Sequence, residues 1–253
     1  MEEESNNSQY NLEVLNQEKE EEKHHEKKDE KEKNVEHDDD DEIIIIPKKV
    51  KKIKPSPFVC NEKPVSETFD DKYSKEILIK RFESFKNMYI SDQELIDGGL
   101  RIRHQNTPED ITENITKFII RKYENDNTCI WCKGVDKKHG LTGDLYSDKY
   151  DKTTQIEVKS FTSIGPSQFG PDKKFGVLYF LDLRKWLQNE IILWKVNLNY
   201  LSDEFKKIKV NKKQTMEEQM LEGRRPHISW DNIYPQITAF CDKIYEGTFE
   251  NIF

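Results

Sequence analysis

Charge is placed so unevenly along this 253-residue chain that only part of it has the makings of a core. Residues 1–42 hold 18 acidic and 6 basic residues, a local charge of −12, and close with four aspartates from Asp38 to Asp41. Such a stretch cannot bury enough apolar surface to offset its ordering entropy, so it reads as a disordered, solvated spacer. A mimic of nucleic-acid charge lying over the domain's own groove is the alternative. Residues 43–54, IIIIPKKVKKIK, add five lysines and no acid. That cluster reads as a basic linker, a phosphate-gripping arm or a nuclear localisation signal. Pro55, Pro57 and Pro64 then mark a linker over 55–69, and the folded domain is expected over 70–253.

Beyond residue 54 the chain carries 31 acids and 30 bases, so the overall charge of −8 belongs to the tail. Any surface that meets a polyanion must therefore arise from uneven placement of charge rather than from composition. No run of about 18 apolar residues exists to span a membrane. The opening MEEESNNSQ lacks the basic and apolar regions of a signal peptide. Four cysteines are too few for a disulfide framework, which points to a reducing, intracellular compartment. For a eukaryotic host, the nucleus, a viral factory or a virion is the corresponding setting.

Within the domain, Leu78, Phe82, Phe85 and Tyr89 recur at three-to-four spacing, predicting an amphipathic helix over 70–89 before Gly98-Gly99 breaks the chain. The segment TPED announces a second helix, with Thr107 as N-cap, Pro108 at the first helical position and Asp110 closing a capping box. It runs to about Arg121, with Ile111, Ile115, Phe118 and Ile119 on one stripe. Strands are expected at 142–147, 153–161, 175–183 and 190–197, the third apolar enough to be buried on both faces. A helix at 215–222 ends at Gly223; His227–Trp230 reads as a last strand and 233–246 as a closing helix. Trp186 and Trp194 read as core. The pattern is that of a mixed α/β (α+β) domain, one central sheet flanked by helices.

The segment from Gly143 to Phe161, GDLYSDKYDKTTQIEVKSF, carries the chemistry. Alternation along a strand sends Ile156 and Val158 to the core and leaves Glu157 and Lys159 together on the other face. Asp144, on the preceding strand, can meet Glu157 across a hairpin whose loop is about 148–153; Asp148 and Asp151 lie close enough in sequence to compete for that role. Two carboxylates converging at a sheet edge suit Mg²⁺, which takes oxygen ligands from one or two carboxylates plus phosphate and water. A lysine beside them can orient water or offset charge on a phosphate. Glu113 on the TPED helix is the candidate third acid, with Glu109 one turn earlier as the fallback. The plainer reading of Asp144, Glu157 and Lys159 is an exposed hairpin with a surface ion pair.

Asp144, twelve intervening residues and then Glu157-Val158-Lys159 resembles the motif of PD-(D/E)XK nucleases, with Gly143 where the motif name has proline. Two flanking segments, Lys159–Leu183 and Glu217–Trp230, are similar to the SFGP-like and QGRRP-like elements of type II restriction endonucleases, and TPEDITEN resembles their first core helix. The resemblance spans about 100–230. It implies a restriction-endonuclease-like fold and Mg²⁺-dependent, double-strand cleavage of DNA at a short site by a homodimer, with Mn²⁺ as a substitute ion. Asp144 and Glu157 carry over as metal ligands, Lys159 as the catalytic lysine and Glu113 as the helix acid. A cognate DNA methyltransferase is the implied genetic partner. A repair, recombination or structure-specific nuclease of the same fold remains a rival, as does a catalytically silent DNA-binding or virus-structural protein.

Candidate DNA-reading residues follow from position. Arg224, Arg225 and His227 follow a helix and a glycine; the plainer role for the arginines is to bond the helix's last carbonyls. Ser163, Ser167 and Gln168 lie in the loop after Lys159, where turn chemistry around two Gly-Pro pairs is as good a reading. Arg103 and Gln105 sit in the donor-rich loop of residues 101–106. Cys129 and Cys132 form one CxxC; with Cys60, His139 and Cys241 scattered, no zinc is expected and a buried turn is the plain reading.

Overall fold

The segment Phe175–Asp182 (β5) lies inside a six-stranded sheet, because its side chains are apolar on both faces and each face must be covered. The structure is a computed structural model that describes residues 71–134, 141, 143–151 and 153–253. The acidic tail, the basic cluster, the whole linker, Cys60 and His139 lie outside those residues.

Among the described residues two helices come first, α1 (Lys75–Asp97) and α2 (Glu109–Tyr123). They are followed by β1 (Ile130–Trp131), β2 (Leu145–Tyr146), β3 (Gln155–Phe161), β4 (Ser167–Gln168), β5 and β6 (Ile191–Val196). Then come α3 (Asp203–Lys207), α4 (Met216–Leu221), β7 (His227–Ile228), α5 (Trp230–Ile237) and β8 (Cys241–Gly247). The main sheet has the order β1-β2-β3-β5-β6-β8, with β3 and β5 parallel and every other pair antiparallel. β4 and β7 make a separate antiparallel pair. This is the mixed α/β architecture expected, a central mixed sheet flanked by helices.

One face of the sheet packs Ile156, Val158, Val177, Tyr179 and Leu181 against Leu78, Phe82 and Phe85 of α1 and Ile111, Ile115 and Ile119 of α2. The other packs Leu178, Phe180 and Val196 against Phe205, Met216, Trp230 and Ile233 of the C-terminal helices. Phe175 joins this second core rather than the first, because the β3–β5 register shifts at its start, where Gln155 faces Phe175 but Ile156 faces Val177.

Four boundaries differ from the expectation. α1 runs on to Asp97 rather than ending near Tyr89. The cap of α2 is Pro108, without a side-chain bond; Asp110 closes no capping box because its carboxylate accepts from the Tyr73 hydroxyl at 2.8 Å and Arg81 Nε at 3.0 Å. His227–Ile228 is a strand, but it pairs with Ser167–Gln168 outside the main sheet. The closing helix is only Trp230–Ile237, and 241–247 is the edge strand β8, paired with β6 from Val196↔Cys241 to Ile191↔Gly247. β6 would otherwise leave a row of backbone donors and acceptors unpaired, and that demand outweighs the weak helical pattern of the segment.

Candidate active site

The hairpin that carries the acids is set by its turn. Ser147 Oγ donates to Asp126 at 2.6 Å, and the Gln155 amide donates to the Asp151 carbonyl at 2.7 Å while its oxygen accepts from Ser147 N at 2.9 Å. These bonds bring β2 back onto β3 with Leu145 opposite Ile156. Gly143 enters that hairpin with φ +92°, and a Cβ there would stand 2.9 Å from the Ile156 carbonyl oxygen. Proline, confined near −65°, cannot take this conformation, which accounts for glycine at the place named for proline in the motif.

Asp144 and Glu157 are both buried, at 7% and 2% exposure, yet both line a cleft of about 910 Å³. Asp144 Oδ2 accepts from the backbone N–H of Val158 at 2.9 Å. Lys159 Nζ donates to Glu157 Oε1 at 2.6 Å, the same-face pairing expected of residues two apart on a strand. Lys173, which the sequence did not single out, donates to Glu157 Oε2 at 2.8 Å and stands 3.5 Å from Asp144 Oδ1. The cause is topological. β3 and β5 are parallel, so the chain must return along the sheet between them, and the 162–174 connection brings Lys173 to the start of β5 beside Glu157.

A second group lies near Asp144 in the same cleft. Glu113 accepts from the Trp131 indole N–H at 2.5 Å and from Lys133 Nζ at 2.7 Å, and Lys133 also reaches Glu109 at 2.6 Å. Sequence reasoning missed Lys133, which lines the cleft, and Trp131, which holds Glu113 from behind the lining; both are placed by the pairing of β1 with β2.

Burial governs the titration of these groups. It pushes Glu113 up to about 7, aided by the nearby Asp144 charge and opposed by Lys133 and Trp131. Burial and then the Glu157 charge raise Asp144 above the ordinary carboxylate range. Burial acts on Glu157 too, but Lys159 and Lys173 together hold it below that range. Burial disfavours the Lys173 ammonium, yet Asp144 and Glu157 keep it above its ordinary value. The wall therefore holds one firmly ionised acid beside one that gains most from a further cation.

The donor set fits a hard divalent ion in its chemistry: two carboxylates share one cation seat, the place Lys173 Nζ takes. Among the described residues no group of three or more His, Cys, Asp and Glu side chains converges to hold a metal, and Glu113 is engaged by Trp131 and Lys133 instead of joining the pair. Asp151 is occupied in its own turn by Thr153, and neither it nor Asp148 lines the cleft. The cleft is lined by five carboxylates and four cationic side chains, so a basic groove of the kind a DNA partner would ask for is not what the lining supplies.

Of the residues proposed to read DNA, Ser163, Ser167, Gln168 and Arg225 line the cleft. Ser167 Oγ is buried with no hydrogen-bond partner among the described residues, as is Thr107 Oγ1, also on the lining. Arg224 is held against Gln214 and Glu222, off the lining. His227 is exposed opposite Gln168, and Arg103 and Gln105 are exposed just before Asn106 and Thr107, which do line the cleft. Cys129 is fully buried, and burial raises its thiol pKa and pushes that of Cys132 up to about 12, so neither is a thiolate at neutral pH.

A model of the Bsp6I restriction endonuclease family matches residues 70–236. The type II restriction enzyme Bsp6I of Bacillus sp. (strain RFL6) is 32% identical over 96 residues, 38% of this chain and 53% of that protein. The chain thus spans about half the length of that curated relative. No solved structure matches. The family match covers the hairpin, both walls of the cleft and every residue that lines it, and on that extent the chain belongs to the Bsp6I restriction endonuclease family.

Proposed function

We propose that this protein is a Mg²⁺-dependent, sequence-specific endonuclease that hydrolyses phosphodiester bonds of double-stranded DNA. The observation that carries the reading is the convergence of Asp144 and Glu157 on one cation seat with Lys159 bonded to Glu157, in a cleft inside the family match. Asp144 and Glu157 would hold the ion, Mg²⁺ or Mn²⁺ in its place. When bound, it supplies positive charge to the scissile phosphate and lowers the pKa of water.

Lys159 is fixed by Glu157 and partly buried, so its ammonium is positioned to orient the attacking water or to offset charge gathering on the phosphate. The Val158 N–H holds Asp144 in place while the substrate is exchanged. Ser167, Gln168 and Arg225 lie on the lining where base edges or phosphates would come. A cleft with one such set of groups hydrolyses one strand at a time, so a double-strand cut asks for two copies, which favours a homodimer. A protecting methyltransferase is the genetic partner this activity needs in a cell. No helix among the described residues is long and apolar enough to cross a membrane.

The test is digestion of mixed-sequence duplex plasmid by the purified full chain with Mg²⁺. Discrete bands are expected, with Glu157→Ala slower by at least about 100-fold. Uncut DNA over a wide pH range refutes the reading, and branch- or end-dependent products move the protein to repair or recombination.

A further inference from the structure

Lys173 has a position that the hydrolytic reading does not use. Its ammonium is at once 2.8 Å from Glu157 Oε2 and 3.5 Å from Asp144 Oδ1, so it fills the seat a divalent ion would take. Its side chain is 43% exposed, while the two acids are almost wholly buried, so the cation can leave and the carboxylates cannot. The turn before it makes room: a Cβ on Gly170 would stand 3.1 Å from Lys173 Cγ, so the lysine stem lies against a residue with no side chain. The 162–174 connection also lines the cleft before it, through Ser167 and Pro171.

We propose that Lys173 is an exchangeable cation: it holds Asp144 and Glu157 together in the free protein, yields the seat to a divalent ion, and its released ammonium then contacts a phosphodiester oxygen of the substrate. This rests on the nuclease reading and extends it to the order of events. Two buried carboxylates without any cation between them repel each other, so an internal ammonium keeps the site assembled before the metal arrives. The same ammonium competes with that metal, so the free protein binds it weakly. Once displaced, Lys173 remains on the cleft lining, where an incoming phosphate meets its ammonium. Metal and DNA then reinforce each other's binding through one side chain.

The test uses the full chain and two probes at pH 8. Mn²⁺ alone is titrated and followed by electron paramagnetic resonance. Lys173→Met is expected to bind Mn²⁺ at least ten-fold more tightly than the unaltered protein, Lys174→Met equally, and Glu157→Gln not measurably. Equal tightening in Lys174→Met, or none in Lys173→Met, overturns the exchange. Unchanged Mn²⁺ binding in Glu157→Gln instead overturns the cation site itself, which separates the two failures. Duplex DNA binding is then measured against salt with and without Ca²⁺. With Ca²⁺, Lys173→Met should lower the steepness of the log–log salt dependence by about 1, and without Ca²⁺ not at all. Identical slopes with Ca²⁺ overturn the phosphate contact.

Discussion

Asp144 accepts the backbone N–H of Val158 at 2.9 Å, so the acid of one strand is tied to the strand that presents Glu157 and Lys159 on either side of that N–H. The geometry of the site therefore depends on how the chain enters the hairpin, one residue before Asp144.

Gly143→Ala places a side chain at φ +92° and 2.9 Å from the Ile156 carbonyl oxygen. It is expected to destabilise the protein by about 1–3 kcal/mol and to slow cleavage beyond that loss, because Asp144 must move. Urea unfolding and single-turnover cleavage measure the two effects; a variant as stable and as fast as the unaltered protein refutes the expectation.

Glu113 is raised by burial to about 7, above the 4.5 ordinary for a glutamate. The folded protein then binds more protons than the unfolded chain between those values, so this residue's favourable contribution is complete below about 4.5 and is lost as the pH rises through 7. Glu113→Gln removes that dependence. Measured without divalent ions, the Tm of the variant minus that of the unaltered protein should be more positive at pH 8 than at pH 5. A difference that is flat with pH, or falls, would contradict the burial argument.

Lys117 is fully buried and donates to Asp71 at 2.7 Å and to the Tyr73 carbonyl at 2.9 Å; Arg121 reaches the same aspartate at 3.2 Å. Asp71→Ala leaves the buried ammonium without its anion and is expected to cost about 3–5 kcal/mol. Adding Lys117→Met should recover part of that loss, because an unpaired charge costs more than an apolar replacement of similar length. Chemical denaturation of the single and double variants decides it; strictly additive losses would show that the two residues do not act as a pair.

Residues 43–253 carry 31 acids and 35 bases, so deleting 1–42 changes the sign of the net charge from −8 to +4. Cleavage is expected to persist, and to quicken at low salt where long-range attraction for DNA is least screened. Failure of the shortened chain to fold, seen by circular dichroism, would assign the tail a structural role.

The strands β2, β3, β5 and β6 and the acid pair were legible because their causes are local. Alternation puts Glu157 and Lys159 on one face, and the distance from Asp144 allows a hairpin to close. Lys173 and Lys133 were not legible. Each is one lysine among many, and it reaches the cleft through a parallel crossover or an edge pairing that no short window reveals. Lys117 was hidden for the same reason: its helical neighbours Glu113, Asn114 and Arg121 give a polar reading, and only the segment at Asp71 makes its burial tolerable. The closing helix expected over 233–246 stops at Ile237, where an unpaired sheet edge converts the following residues into β8.

What the sequence by itself determined is the set of local patterns: a charge run over 1–42 set apart from residues with apolar periodicity, a strand apolar on both faces, and Asp144, Glu157 and Lys159 at one hairpin. What only the tertiary structure decided is which cations those acids meet and which backbone edges are closed. Period and spacing act within a few residues, whereas charge neutralisation inside a cleft and hydrogen bonding at a sheet edge are met by whatever the topology brings near.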